Sequence, residues 1–195
     1  MVAKRTVDGM QRDLVVRASA GDHAAFSELA ASAIGGLYRI AHLILRDGEL
    51  ANDAVQNALI AAWRDVRALR DPARFDAWLR RLTVRACYRV AGAERRRAVR
   101  EVELEPLHDA RSVDDDQHLL AARDQLERGF TRLTAEERAV IVLHYYLDLP
   151  LAEAADVMGM PIGTMKSRLS RATQALRAAV DAQERASALS TGGIA

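Results

Sequence analysis

Residues 151–177, LAEAADVMGMPIGTMKSRLSRATQALR, decide how this chain is read. The run LAEAADVM suits a short helix, Gly159 can supply the left-handed backbone of a tight turn, and Pro161 fits the first turn of a following helix, where no N–H is needed. A short helix, a glycine turn and a longer basic helix form the helix-turn-helix pattern. On a wheel of about 100° per residue, Met165, Leu169, Ala172 and Leu176 make one stripe that must be buried. The opposite side presents Lys166, Ser167, Ser170, Arg171, Gln174 and Arg177, with Thr164 and Arg168 towards its edges. Such side chains neutralise phosphates, pair with guanine or touch base edges, which suits a DNA major groove. Any surface helix is polar outside, but a solvated one mixes signs in i,i+4 pairs, whereas Val157 to Val180 holds no acidic residue. The basic helix is also second in the motif, the place of a recognition helix.

Upstream, Thr134-Ala135-Glu136-Glu137 reads as a capping box, followed by a helix through ERAVIVLHYYL that ends at Asp148-Leu149-Pro150. Leu119, Ala122, Leu126, Phe130 and Leu133 form another helical stripe before it. From about Arg97 to Asp116 large apolar residues are few, Pro106 interrupts and charge is dense, so this stretch is expected to be a linker. The formal net charge of +1 hides strong segregation here. Eight arginines (Arg80, Arg81, Arg85, Arg89, Arg95, Arg96, Arg97, Arg100) face one acid, Glu94, between 80 and 100, and residues 101–116 reverse the sign. Polyanions are drawn to the basic block, and the acidic one is a poor core former.

The first hundred residues repeat apolar positions at helical spacing, with turn signals at Gly21-Asp22, Asp47-Gly48 and Asp71-Pro72, which gives four or so helices. In the last of these, Phe75, Trp78, Leu79, Leu82 and Ala86 are expected to face a core, and Gly92 to stop the helix. Arg74, Arg81, Tyr88 and Arg95, spaced by seven, are expected on the side away from Trp78 and Leu82. Arginines interleaved with a stackable ring suit single-stranded or partly opened DNA; the plain alternative is a solubilising edge. In ELANDAVQNALIAAW, residues 49–63, Val55, Leu59 and Ala62 point inward and leave Asp53, Gln56 and Ile60 on another face. An exposed Ile60 beside two hydrogen-bonding side chains suits protein binding, though a solvated face explains the same pattern.

Composition agrees with an all-α chain of small helical cores: of 195 residues half are hydrophobic and only 5% aromatic. The single cysteine, Cys87, allows no internal disulfide framework and no Cys-based zinc site. The five histidines are scattered, and although His108 and His118 lie near Asp114–Asp116, they lack ligand spacing. With no phosphate-binding glycine loop and no nucleophile motif, neither an enzyme nor a cofactor is expected. No signal peptide or membrane-spanning stretch is apparent, because AIGGLYRIAHLIL carries Arg39 and His42, so a cytoplasmic protein is expected.

Together these residues resemble the bacterial RNA polymerase sigma factors of the extracytoplasmic-function (ECF) type, over about residues 10–95 and 119–180. AGDHAAFSELAASAIGGLYRIAHLILRD and ANDAVQNALIAAWRDV resemble sigma region 2, RDPARFDAWLRRLTVRACYR resembles its −10 recognition segment, and residues 132–177 resemble region 4. The resemblance implies region 2 at 10–96, a linker at 97–118, region 4 at 119–182, a disordered tail at 183–195 and no further carboxy-terminal domain. It also implies core polymerase as partner, through its largest-subunit clamp helices and its flap, together with promoter DNA and an anti-sigma factor. Asp53, Gln56 and Ile60 would meet the clamp helices. Leu69, Arg70 and Arg74 would belong to a loop that captures a −10 base, with Arg81, Arg85 and Tyr88 along the melted strand. Lys166, Ser167, Ser170 and Arg171 would enter the −35 major groove near Thr164, and Arg168 would hold phosphate. A stand-alone helix-turn-helix regulator accounts equally for 134–180 but gives the first half no purpose.

Overall fold

The computed structural model describes residues 2–100, 127 and 129–191, with side chains over 9–97, 127 and 129–181. Among the described residues there are helices and turns and no strand. The chain divides into two compact units, Met1–Val102 and Glu103–Ala195. The expected linker beyond Arg100, and Leu119, Ala122 and Leu126 of the expected stripe, lie outside the described residues, as do His108, His118 and Asp114–Asp116.

In the first unit α1 (Val2–Ser19), α2 (His23–Leu45), α3 (Gly48–Asp65) and α4 (Phe75–Arg100) pack around one core. Each turn is written in the sequence. Asp22 caps α2 by accepting from the backbone N–H groups of Ala24 (2.9 Å) and Ala25 (3.1 Å), and the same carboxylate accepts from Arg17 at 2.7 Å. Gly21 takes the positive φ of 101° that this tight connection demands. Asp47 caps α3 through the N–H of Leu50 at 2.9 Å. α3 turns mostly alanines inward, with Ala51, Ala54, Ala58 and Ala62 fully buried beside Val55, so α2 and α4 can approach it closely.

α4 differs from the sequence expectation in two ways. Gly92 does not stop it: the helix continues to Arg100, because one interior glycine costs only about 1 kcal/mol. Its buried side is Phe75, Leu79, Thr83, Val84, Ala86 and Cys87, while Trp78 and Leu82 are only half-buried. The Thr83 hydroxyl is satisfied inside by the Leu79 carbonyl at 3.0 Å. Cys87 is fully buried on the inner side of the helix, and burial pushes its thiol up to about 12. α2 does reach the length and apolar content of a membrane span despite Arg39 and His42, but Leu29, Leu37, Ile40, Ala41 and Ile44 are buried against α1, α3 and α4.

In the second unit, the Thr134/Glu137 capping box starts α5 (Ala135–Ile141): the Glu137 N–H donates to Thr134 Oγ1 at 3.3 Å and the Thr134 N–H to Glu137 Oε2 at 2.9 Å. Arg138 is buried, and its guanidinium donates to the carbonyls of Phe130 and Leu133, tying the preceding segment to α5. The helix expected through Leu147 widens into a π-turn over Val142–Tyr146, closed by the Leu147 N–H on the Val142 carbonyl at 2.9 Å. α6 (Leu151–Met158) ends on Gly159, whose φ of 64° gives the left-handed cap, with the Met160 N–H on the Ala155 carbonyl at 3.1 Å. α7 (Ile162–Thr191) starts just after Pro161, whose carbonyl accepts from Met165. α7 is helical well past 183, where a disordered tail was expected to begin; residues 192–195 lie outside the described ones.

Candidate nucleic-acid interface

The helix-turn-helix is built as the sequence wrote it. Met165 and Ala172 are fully buried, Leu169 is nearly so and Ala179 extends the stripe, so α7 is clamped to α5 and α6 by one side. The other side is free of that core. Lys166, Ser167, Ser170 and Arg171 are exposed together, and Thr164 is half-buried at the start of the helix. Ser167 Oγ donates to the Thr164 carbonyl at 2.9 Å, a local bond that leaves its acceptor lone pairs outward. Arg171 reaches the Ser167 carbonyl only at 3.4 Å, a weak contact that does not bind it in place.

Arg168 is different. Its Nη1 lies 2.6 Å from Glu136 Oε2 of α5, and the two side chains are only 27% and 20% exposed. The structure therefore turns Arg168 towards α5, not into the solvent face. Thr134, Glu136, Glu137, Arg168 and Arg171 line one shallow concavity, so two carboxylates from α5 stand beside the basic helix. The absence of acids between Val157 and Val180 could not reveal this, because these carboxylates come from another helix.

In the first unit the expected −10 loop consists of two 3₁₀ turns, Val66–Ala68 and Pro72–Arg74, joined through Leu69, Arg70 and Asp71. Asp71 caps the second turn by accepting from Ala73 at 3.0 Å and faces Arg74 at 3.5 Å. Leu69 is half-buried, while Arg70 and Arg74 are exposed at the mouth of α4. Along α4, Arg85 is exposed and Arg81 and Tyr88 are half-buried. At 100° per residue Arg74, Arg81, Arg85, Tyr88 and Arg89 fall within an arc of about 100°, and Trp78 falls inside the same arc. Trp78 was expected on the opposite, core side. It is instead half-buried, with its ring 5.9 Å from Phe75, and stands among the arginines. The spacing Arg74, Trp78, Arg85 could have revealed it, but a tryptophan within an apolar stripe reads first as core.

On α3, Asp53, Gln56 and Ile60 are exposed on one face at i, i+3 and i+7, and Ile60 at 63% is among the most exposed large apolar side chains. Apart from Arg168, which turns towards α5, the residues of each expected surface thus lie on one unit.

Comparison with known proteins agrees with both halves. The family model for Sigma-70 region 2 matches residues 29–98, and that for Sigma-70, region 4 matches residues 123–176. The chain is 32% identical over 160 residues to the ECF RNA polymerase sigma factor SigM of Mycobacterium tuberculosis, an alignment covering 82% of this chain and 79% of that protein. It is 31% identical to the RNA polymerase sigma-E factor of Streptomyces avermitilis, over 84% and 89% of the two chains. Among solved structures, CnrH in complex with the cytosolic domain of CnrY aligns with a TM-score of 0.55 and 28% identity, covering 89% of this chain and 98% of that one. The sigma factor RpoE from Bartonella quintana, solved with the anti-sigma factor NepR, shares the fold at a TM-score of 0.57 and 23% identity, over 80% and 96%.

Proposed function

Because this chain belongs to the ECF sigma factors of the sigma-70 family, we propose how its two units divide the work of promoter recognition. A sigma factor directs core RNA polymerase to promoters; its work is recognition and strand opening, not bond chemistry. The first unit contacts the clamp helices of the largest polymerase subunit through Asp53, Gln56 and Ile60. Leu69, Arg70 and Arg74 receive an unpaired −10 base, and Arg81, Arg85 and Tyr88, with Trp78 beside them, follow the opened strand by stacking and phosphate neutralisation. The second unit docks on the flap and lays α7 in the −35 major groove.

The observation that carries this reading is the exposed quartet Lys166, Ser167, Ser170 and Arg171 on the side of α7 opposite buried Met165 and Ala172, directly after the Gly159 turn. The linker expected at 97–118, whose first residues are the end of α4, joins region 2 to region 4 (119–182). Tethering two weak readers to one polymerase raises the effective concentration of each at its own element. The site of action is the cytoplasm, where core polymerase works. An anti-sigma factor is the proposed regulator; the similarity to CnrH, solved bound to the cytosolic domain of CnrY, supports a partner that reaches this chain through a cytosolic domain.

Run-off transcription with core polymerase on a promoter library tests the reading. Starts that depend on the added chain, sharing one −35 and one −10 sequence, are expected; a library with no dependent start refutes it.

A further inference from the structure

The contact between α5 and α7 carries a consequence for sequence discrimination. Arg168 is an exception on the recognition helix: it already has a carboxylate partner, at 2.6 Å, in a site where both side chains are largely shielded from water. A charge-assisted bond of that length is strong for its class, and shielding protects it from salt. The bond also spans two helices, from the first turn of α5 to the second turn of α7. The backbone that carries Glu136 is set by the reciprocal bonds between Thr134 and Glu137 on either side of it.

Arg171 lines the same concavity, but the only hydrogen bond seen for it among those described is the weak one to Ser167. Of the two neighbouring arginines, one is therefore held and one is available. On the wheel, Arg168 lies about 60° from the centre of the buried stripe, and Arg171 about 60° further towards the exposed side. A released arginine side chain at the Arg168 position is long enough to turn along the helix flank to a neighbouring phosphate, which any DNA sequence offers.

We propose that Glu136 is a positioning residue for −35 recognition: by holding Arg168 against α5 it withholds one cation from the DNA backbone and leaves reading to Lys166, Ser167, Ser170 and Arg171. Specificity is a difference between affinities for right and wrong sequences. A phosphate contact raises both equally and leaves that difference unchanged, but it lengthens residence on wrong sites, which far outnumber the right one. Pairing Arg168 internally removes that contribution while fixing the angle of α7 on α5.

The inference rests on the −35 role proposed for α7, and the test separates the two. Holoenzyme made with wild-type chain, Glu136→Ala, Arg168→Ala and the double variant is titrated, over a salt series, against labelled duplexes carrying either the −35 element recovered from the library or a scrambled one. Fluorescence anisotropy gives the affinity. For Glu136→Ala the expected result is tighter binding to the scrambled duplex, and a plot of log affinity against log salt steeper by about 0.9, the value of one added phosphate contact. In the Arg168→Ala background the same substitution is expected to change neither. An equal gain without Arg168 overturns the inference, because the carboxylate then acts by repulsion alone. Weaker binding with an unchanged slope overturns it too, because the pair is then only a clamp. Glu136→Gln, which keeps the side-chain shape and removes only the charge, decides the matter in the same direction if the alanine variant is poorly folded. A wild-type holoenzyme indifferent to the −35 sequence sinks the role of α7 itself, whereas responses independent of Arg168 sink only this inference.

Discussion

Replacing Arg171 by alanine separates recognition from folding more cleanly than any other change on α7. Its side chain is exposed, and its one described hydrogen bond, to the Ser167 carbonyl, is 3.4 Å long. Removing it therefore leaves stability within about 0.5 kcal/mol, as for most surface substitutions. The loss falls on binding. An arginine paired to guanine is worth about 1–3 kcal/mol of discrimination, which at 1.4 kcal/mol per tenfold is about 5- to 150-fold in affinity for the −35 element. Run-off initiation should fall by that factor on a template with the matched −35 sequence and change little on one whose −35 element is scrambled. Core binding through the clamp helices should be unaffected, since Asp53, Gln56 and Ile60 lie in the other compact unit. A loss of equal size on both templates would make Arg171 a phosphate contact, and a parallel loss of core binding would refute the division of labour altogether.

Other consequences follow from burial and charge. Met165→Ala removes a fully buried side chain from the α7 stripe and should cost about 2–5 kcal/mol, enough to unfold a small helical unit. Because both tryptophans, Trp63 and Trp78, belong to the first unit, far-UV circular dichroism should fall while tryptophan fluorescence stays native. Ile60→Glu places a charge on an exposed apolar contact and should weaken core polymerase binding without lowering the melting temperature; unchanged binding would remove α3 from the interface. Cys87, buried and with its thiol pushed up to about 12, should resist thiol reagents in the native protein and react only on unfolding, so rapid native labelling would contradict its placement. The Asp22 carboxyl is held below its ordinary 3.8 by the Ala25 N–H first and Arg17 next. A depressed folded value means stabilisation that is fully present above 3.8 and lost as pH falls through the folded value. Urea midpoints followed by tryptophan fluorescence should then show wild type ahead of Asp22→Asn near neutrality, with the gap closing on acidification; a constant gap would count against the pairing.

The local signals were nearly complete in the sequence. Thr134 caps the helix it was expected to cap, Asp22, Asp47 and Asp71 cap elements at the three expected turns, and Gly159 makes its turn, because caps and turns depend on neighbours a few residues away. The buried stripe of α7 was legible for the same reason: a single period of 3.6 fixes one face once Met165, Leu169 and Ala172 are known. The polar face of α7 and the Asp53, Gln56, Ile60 face of α3 followed as its complements.

Tertiary packing decided the rest. Which arc of α4 is buried depends on the helices around it. Trp78 fits an apolar stripe on paper but is only half-buried and shares the wheel arc of Arg81 and Arg85, while Cys87 is buried. The π-turn at Val142–Tyr146 and the continuation of α4 past Gly92 have no short-range signal strong enough to announce them. The partner of Arg168 lies 32 positions away on α5. By itself the sequence determined the helices, their caps and which side of the recognition helix is free, since these depend on residues within one or two turns. Only the folded chain could decide which of the basic side chains on that helix are available to DNA, because a charge is neutralised by whatever packing brings within reach.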